Sequence, residues 1–199
     1  MVVPAIEQGA AARNVRRKVL IIVQNLSVPF DRRVWLEART LRNAGYDVSV
    51  ICPRMKNGKS GYELLDGVHI YRHPLPLEAS GKLAYLAEYC SSLFWEYLFS
   101  LRVLFNHGFD IIHACNPPDL IYLVAGPYKK LLGKKFIFDH HDLNPELYEA
   151  KFGRRDAFWK LLCEFERRTF RAADVSIATN ESYLEIAVQR GGMPPDRAF

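Results

Sequence analysis

No stretch of about 20 uninterrupted apolar residues occurs in this chain of 199 residues, so a helix that spans a bilayer is not expected. The four cysteines, Cys52, Cys90, Cys115 and Cys163, are scattered without paired spacing. That pattern suggests neither a zinc site nor a disulfide framework, and a reducing cytoplasm is the expected compartment. There is no internal repeat and no low-complexity tract. Residues 1–17 lack the long apolar core of a secretory leader, and Arg13, Arg16 and Arg17 adjoin the first apolar run, so a flexible tail is expected there. The net charge of +5 and a pI near 9.0 permit attraction to phosphate, anionic lipid or nucleic acid. A basic stripe with interleaved aromatics is missing, however, and no nucleic-acid role is expected. Glycine is also missing from Gln24-Asn-Leu-Ser-Val-Pro-Phe-Asp31, which comes after the first apolar run. A loop without glycine cannot bring its backbone against a pyrophosphate in the usual way, which disfavours an NAD- or FAD-dependent oxidoreductase.

What is present is a composition of 49% hydrophobic and 25% charged residues, enough to bury a substantial core. Short apolar runs alternate with longer amphipathic segments, the pattern of parallel strands joined by helical crossovers. Strands are predicted at 18–24, 47–52, 68–72, 110–114, 135–139 and 174–178. Helices are predicted over 31–44, where Val34, Ala38 and Leu41 share a face, and over 155–171, where Phe158, Leu161, Leu162 and Phe165 do. Gly45 closes the first helix and Gly191-Gly192 the last. The segment 53–67 reads as a flexible surface loop. The segment 82–106 is rich in aromatics, among them Phe94, Trp95, Tyr97, Phe99 and Phe105, and is interrupted by Glu88, Glu96 and Arg102. It reads as a helix packed on the sheet, with an interfacial membrane anchor as the alternative. The expected fold is a three-layer α/β, Rossmann-like domain with a mostly parallel sheet in the order three, two, one, four, five, six.

Ionisable residues gather where the fifth predicted strand ends, in Phe136-Ile-Phe-Asp-His-His-Asp-Leu-Asn-Pro-Glu146. Asn144 is expected to cap a helix beginning at Pro145. Ligands of open parallel sheets bind outside the carboxyl ends of the strands, which puts Asp139, His140, His141 and Asp142 beside a site. His140 and His141 adjoin on extended chain and so point to opposite sides, which argues against a shared metal ion; no metal is expected. Asp142 either accepts from a substrate hydroxyl or caps a turn, and Glu146 sits in a helical first turn, where a carboxylate is favourable for structural reasons too. Other strand ends add Asn25, Ser27 and Asp31 to the same edge, with Asn116 and Asp119 after the fourth strand. Each could bind hydroxyls or merely cap a local turn. Arg32 and Arg33 open a helix, where the macrodipole disfavours cations. Arg32 is a candidate for an anionic ligand, and Arg33 can form a surface pair with Glu37.

Pro29-Phe-Asp-Arg-Arg-Val-Trp-Leu-Glu-Ala-Arg-Thr-Leu-Arg-Asn-Ala-Gly-Tyr-Asp-Val48, Asp110-Ile-Ile-His-Ala-Cys-Asn116, Phe138-Asp-His-His-Asp-Leu143 and the segment 164–179 occur in the order seen in one enzyme family. Together they resemble the amino-terminal half of a family-four glycosyltransferase. The resemblance implies one half of a GT-B fold, two Rossmann-like domains facing across a cleft. It implies transfer from a nucleotide-sugar donor to a glycan or lipid-linked acceptor, with retention of configuration and no metal ion or cofactor in this chain. It also implies that residues 18–199 are the acceptor-side domain and that the carboxyl-terminal donor-binding domain is absent, so that the chain alone is expected to be inactive. By the same resemblance His141 lies against the donor sugar as the catalytic candidate, its ring offering a hydrogen bond to a hydroxyl or developing charge. Surface-polysaccharide synthesis at the inner face of a membrane, with anionic lipid as a partner, is a further implication. A non-catalytic sugar- or phosphate-binding module and half of a nucleotide-sugar epimerase are the alternatives.

Overall fold

The computed structural model describes residues 16–56, 58, 60–74 and 82–199, and of residues 82–89 the backbone alone. The expected tail therefore lies outside the described residues up to position 15, as do Asn57, Lys59 and the side chains of Tyr85 and Tyr89.

Seven strands form one sheet: β1 (Lys18–Ile22), β2 (Asp47–Pro53), β3 (Gly61–Leu65), β4 (Val68–His73), β5 (Ile111–Cys115), β6 (Lys135–His140) and β7 (Val175–Ala178). Their order is β3-β4-β2-β1-β5-β6-β7. Every pairing is parallel except β3 with β4. The six parallel strands match the order predicted from sequence. Only part of 53–67 is the expected loop: the described residues among 54–60 carry neither strand nor helix, whereas Pro53 ends β2 and 61–65 form β3. β3 folds back on β4 through Asp66 and Gly67, with φ of 49° and 77°. An Asp-Gly pair with both residues left-handed suits the turn that joins two twisted strands, and Asp66-Gly67 between alternating apolar residues was the signal for it.

The helices are α1 (Arg32–Asn43), α2 (Lys82–Asn106), α3 (Tyr122–Leu132), α4 (Asn144–Phe152), α5 (Ala157–Ala172) and α6 (Glu181–Gln189). Asp31 caps α1 by accepting from the Val34 amide at 3.1 Å, and Asp156 caps α5 through the amides of Phe158 and Trp159. Asn144 does not cap α4. The helix already includes it, Leu143 precedes it, and the Asn144 amide donates to Asp119 instead.

Strand alternation sorts the core into two layers. Val19, Ile21, Val48, Val50 and Ile70 pack against Val34 and Ala38 of α1. Leu20, Ile22, Ile112, Phe136 and Phe138 pack on the other face with residues of α2, α3, α5 and α6, including Phe170. Each such buried side chain contributes roughly 1.5–3 kcal/mol. β1 and β5 are neighbours, yet β1 continues through α1 on one face and β5 through α3 on the other. The chain thus reverses its winding at this pair, and a crevice opens at their carboxyl ends. No helix among the described residues is long and apolar enough to cross a membrane.

Candidate active site

The crevice is lined by the loops that leave β1, β5 and β6. Asn116, just past β5, is buried, and its side chain makes four hydrogen bonds, three of them across the gap to the β6 loop. Its Oδ1 accepts from the backbone amides of His141 at 2.6 Å and Asp142 at 3.1 Å; its Nδ2 donates to the Asp142 carbonyl at 2.6 Å and to Asp119 Oδ1 at 2.8 Å. From the β1 side, the Asn25 amide donates to the Asp142 carboxylate at 3.2 Å. Asn25, Asn116, His141 and Asp142 thus come together on one rim.

Alternation along β6 decides which histidine faces it. Asp139 and His141 turn toward the α1 side and His140 to the other. Asp139 has no exposed side-chain surface. Its Oδ1 accepts from Arg33 Nη2 at 2.7 Å, and its Oδ2 lies 2.8 Å from His141 Nε2 and 3.1 Å from His113 Nε2. Burial by itself raises a carboxyl pKa, but the hydrogen bonds and charges of His113 and His141 outweigh it and hold Asp139 well below the usual carboxylate range. Arg33 also donates through Nε to Glu37 Oε1 at 3.1 Å, and Glu37 Oε2 lies 3.8 Å from His113 Nε2. Burial first, and the Asp139 charge next, push the Cys115 thiol well up, so it remains protonated 3.9 Å from Asp139 Oδ2. His113, Cys115 and Asp139, or Glu37, Asp139 and His141, could each supply a set of metal-ligand atoms within 4.8 Å of one another. The same atoms are also engaged by the hydrogen bonds just described.

Several candidates are placed elsewhere. His140 is fully buried among Phe138, Phe170 and Tyr183, with Nε2 3.3 Å from Glu166 Oε1 but without hydrogen-bond alignment. It belongs to the opposite face, as its neighbour's orientation requires, and leaves the substrate-binding set. Glu146 is gripped by both terminal nitrogens of Arg190, which also binds Glu166 at 2.6 and 2.9 Å. Its carboxylate is therefore occupied in joining α4 to α5 and α6. Ser27 is buried, and its hydroxyl accepts from Arg72 Nε at 3.1 Å. Asp31 serves as the α1 cap. Asp119 is buried between the amides of Asn116 and Asn144. Burial, then the charge of Glu166, push its pKa up to about 6. Arg32 is exposed and forms no ion pair among the described residues, whereas Arg33 turns inward, contrary to the expected ranking of the two.

Arg33, Glu37 and His113 were not predicted as site residues, and Asp139 only as lying beside a site. Two signals pointed to the missing three: a histidine inside the apolar run 110–115, and an i, i+4 Arg–Glu pair one position before the buried Val34 and Ala38. Neither distinguishes a surface pair from one that reaches across to the sheet.

The sequence model named Glycosyltransferase Family 4 matches residues 31–199. No curated protein matches the chain. Among solved structures, it is similar to sucrose-phosphate synthase from Thermosynechococcus elongatus, at 14% identity and a TM-score of 0.68, over 92% of this chain and 47% of that one. It is similar to UGT89C1 from Arabidopsis thaliana complexed with quercetin, at 12% identity and a TM-score of 0.58, over 92% and 49%. It also resembles LpCGTa in complex with UDP, at 12% identity and a TM-score of 0.54, over 88% and 48%. At these identities the likeness is one of fold. The chain spans about half the length of each of these structures.

Proposed function

The chain belongs to glycosyltransferase family 4, and we propose that residues 18–199 supply the acceptor-side half of a two-domain GT-B enzyme. In this reading the enzyme moves a sugar from a nucleotide-sugar donor to a glycan or lipid-linked acceptor, with retention of configuration. The observation that carries it is the convergence of Asn25, Asn116, His141 and Asp142 at the sheet's switch point, where a facing domain would close the crevice. His141 is the catalytic candidate, at the wall that meets the donor sugar. In this reading Asn25 and Asp142 meet hydroxyls, and Arg32, exposed and without an ion pair among the described residues, meets an anionic group. The nucleotide would sit on the partner domain, and no metal or cofactor is assigned to this chain.

A polypeptide joining this chain to its donor-binding domain should form glycoside from a nucleotide-sugar, and His141→Ala should lower kcat/KM roughly 10²-fold. The 199-residue chain alone should form none. Transfer by the chain alone would remove the half-enzyme reading, and free-sugar release without glycoside would turn the assignment to an epimerase or hydrolase.

We also propose a cytoplasmic enzyme working at an anionic membrane surface. Support comes from exposed apolar residues on α2 (Phe94, Leu98, Phe105) and α3 (Leu123, Leu131, Leu132), the last two beside exposed Lys130. Co-sedimentation with vesicles containing anionic lipid should be salt-sensitive. Equal binding to neutral vesicles, or none to either, would remove the membrane part.

A further inference from the structure

Asp139 meets three nitrogen donors with two oxygens, besides the Cys115 thiol 3.9 Å from Oδ2. Arg33 takes Oδ1 at 2.7 Å, while the two imidazoles of His113 and His141 share Oδ2 at 3.1 and 2.8 Å. Arg33 is itself fixed from its other side by Glu37 Oε1 at 3.1 Å. Three hydrogen bonds from three different elements leave the carboxylate little freedom to rotate, and it in turn anchors both rings.

An ionised carboxylate has lone pairs and no hydrogen to give. With the Arg33 guanidinium on Oδ1 and both imidazoles on Oδ2, Asp139 is held as the carboxylate, so each ring nitrogen facing it must carry the hydrogen. For neutral His141, a hydrogen on Nε2 leaves Nδ1 bare, because an uncharged imidazole has one donor and one acceptor. Nδ1 has no hydrogen bond among the described residues, and the side chain is 16% exposed.

We infer that Asp139, braced by Arg33, Glu37 and His113, is a positioning residue that presents His141 Nδ1 as a hydrogen-bond acceptor to a hydroxyl of the transferred sugar. The ligand's identity rests on the glycosyl-transfer reading; the state of the ring does not. The arrangement separates two ligand chemistries. A bare nitrogen accepts from a hydroxyl and has nothing to offer an anionic oxygen, so in its neutral form His141 recognises the sugar rather than the diphosphate. The sequence alone suggested the opposite polarity, a ring that donates. A divalent cation held by Glu37, His113, Asp139 and His141 would also demand the opposite protonation, since both Nε2 atoms would have to give up their hydrogens to bind it.

The test is a long-range proton–nitrogen correlation spectrum of the 199-residue chain labelled with ¹⁵N-histidine, which reads the protonated nitrogen of each ring. His141 is expected to carry hydrogen on Nε2 and none on Nδ1. Asp139→Asn should move its hydrogen partly to Nδ1, and in the two-domain enzyme should lower transfer roughly 10²-fold through misplacement of the ring, with binding of the nucleotide diphosphate unchanged. Hydrogen on Nδ1 in the parent chain overturns the proposal. So does an Asp139→Asn spectrum in which His141 is unaltered while stability falls, which marks a purely structural carboxylate. A stoichiometric shift of the His113 and His141 Nε2 signals on adding Zn²⁺ overturns it in favour of a metal site. Should Asp139→Asn fail to fold, the parent spectrum decides alone. The expected spectrum together with a two-domain enzyme that makes no glycoside leaves the positioning of His141 standing and removes the sugar reading.

Discussion

Asn116 and Asp119 show how much one rim depends on single side chains. Asn116→Ala removes four hydrogen bonds at about 1 kcal/mol each and leaves two backbone amides and a buried carboxyl less well satisfied. A loss of roughly 3–4 kcal/mol in urea unfolding is expected. Asp119 sets a pH dependence of definite sign. Its native pKa, about 6, lies above the ordinary 3.8, so the folded state holds the proton more tightly than the unfolded one. The stability it contributes is complete below about pH 4, declines as pH rises toward 6, and changes no further above that. Asp139 works in the other direction, its contribution being lost as pH falls below the ordinary carboxylate range. Asp119→Asn should therefore flatten the stability profile between pH 4 and 6 and leave the acid limb intact. That Asn116 matters could be guessed from its place after a strand; that it binds the His141 loop by backbone amides could not, because the loop is 25 residues away along the chain.

At the scale of elements, α2 carries a group its environment does not welcome. Glu96 is fully buried, neither carboxyl oxygen is hydrogen-bonded among the described residues, and burial pushes its pKa up to about 8 from 4.5. By the same linkage, the contribution of Glu96 to stability is full below about pH 4.5 and is lost as pH climbs to about 8. Glu96→Gln should remove that slope and make the protein more stable than the parent at pH 9, by up to a few kcal/mol at about 1.4 kcal/mol per unit; thermal unfolding across pH 5–9 reads it. The end of α6 is equally exacting. A Cβ on Gly191 would meet Phe170 Cδ2 at 2.3 Å and the Ala187 carbonyl at 2.6 Å, and the carbonyl belongs to a helix that cannot yield. Gly191→Ala should cost about 1–3 kcal/mol. The sequence identified this glycine as a helix stop, while its close packing on α5 emerges only when the two helices meet.

For the whole molecule, Arg190 joins α6 to α4 and α5 by pairing with Glu146 and with the fully buried Glu166. Arg190→Met should lower stability by roughly 3–5 kcal/mol, because it strands a buried carboxylate; chemical denaturation measures it, and additional replacement of Glu166 by Gln should restore part of the loss. What the sequence by itself determined was the part encoded in local pattern. Apolar runs separated by amphipathic segments were enough for the parallel strands and their order, since right-handed crossovers leave few alternatives. Strict alternation along β6 was enough to send His140 and His141 to opposite faces. The i, i+4 spacing was also enough for the Arg33–Glu37 pair, but the tertiary structure alone decided which polar groups became partners across elements. Arg33 reaches Asp139 across 106 positions, and Asn25 reaches Asp142 across 117. It also decided that Glu146 would be occupied by Arg190. Periodicity fixes the side of an element on which a residue lies, but a hydrogen bond depends on distances between elements to within a few tenths of an ångström, and those are set only when the sheet and its helices pack.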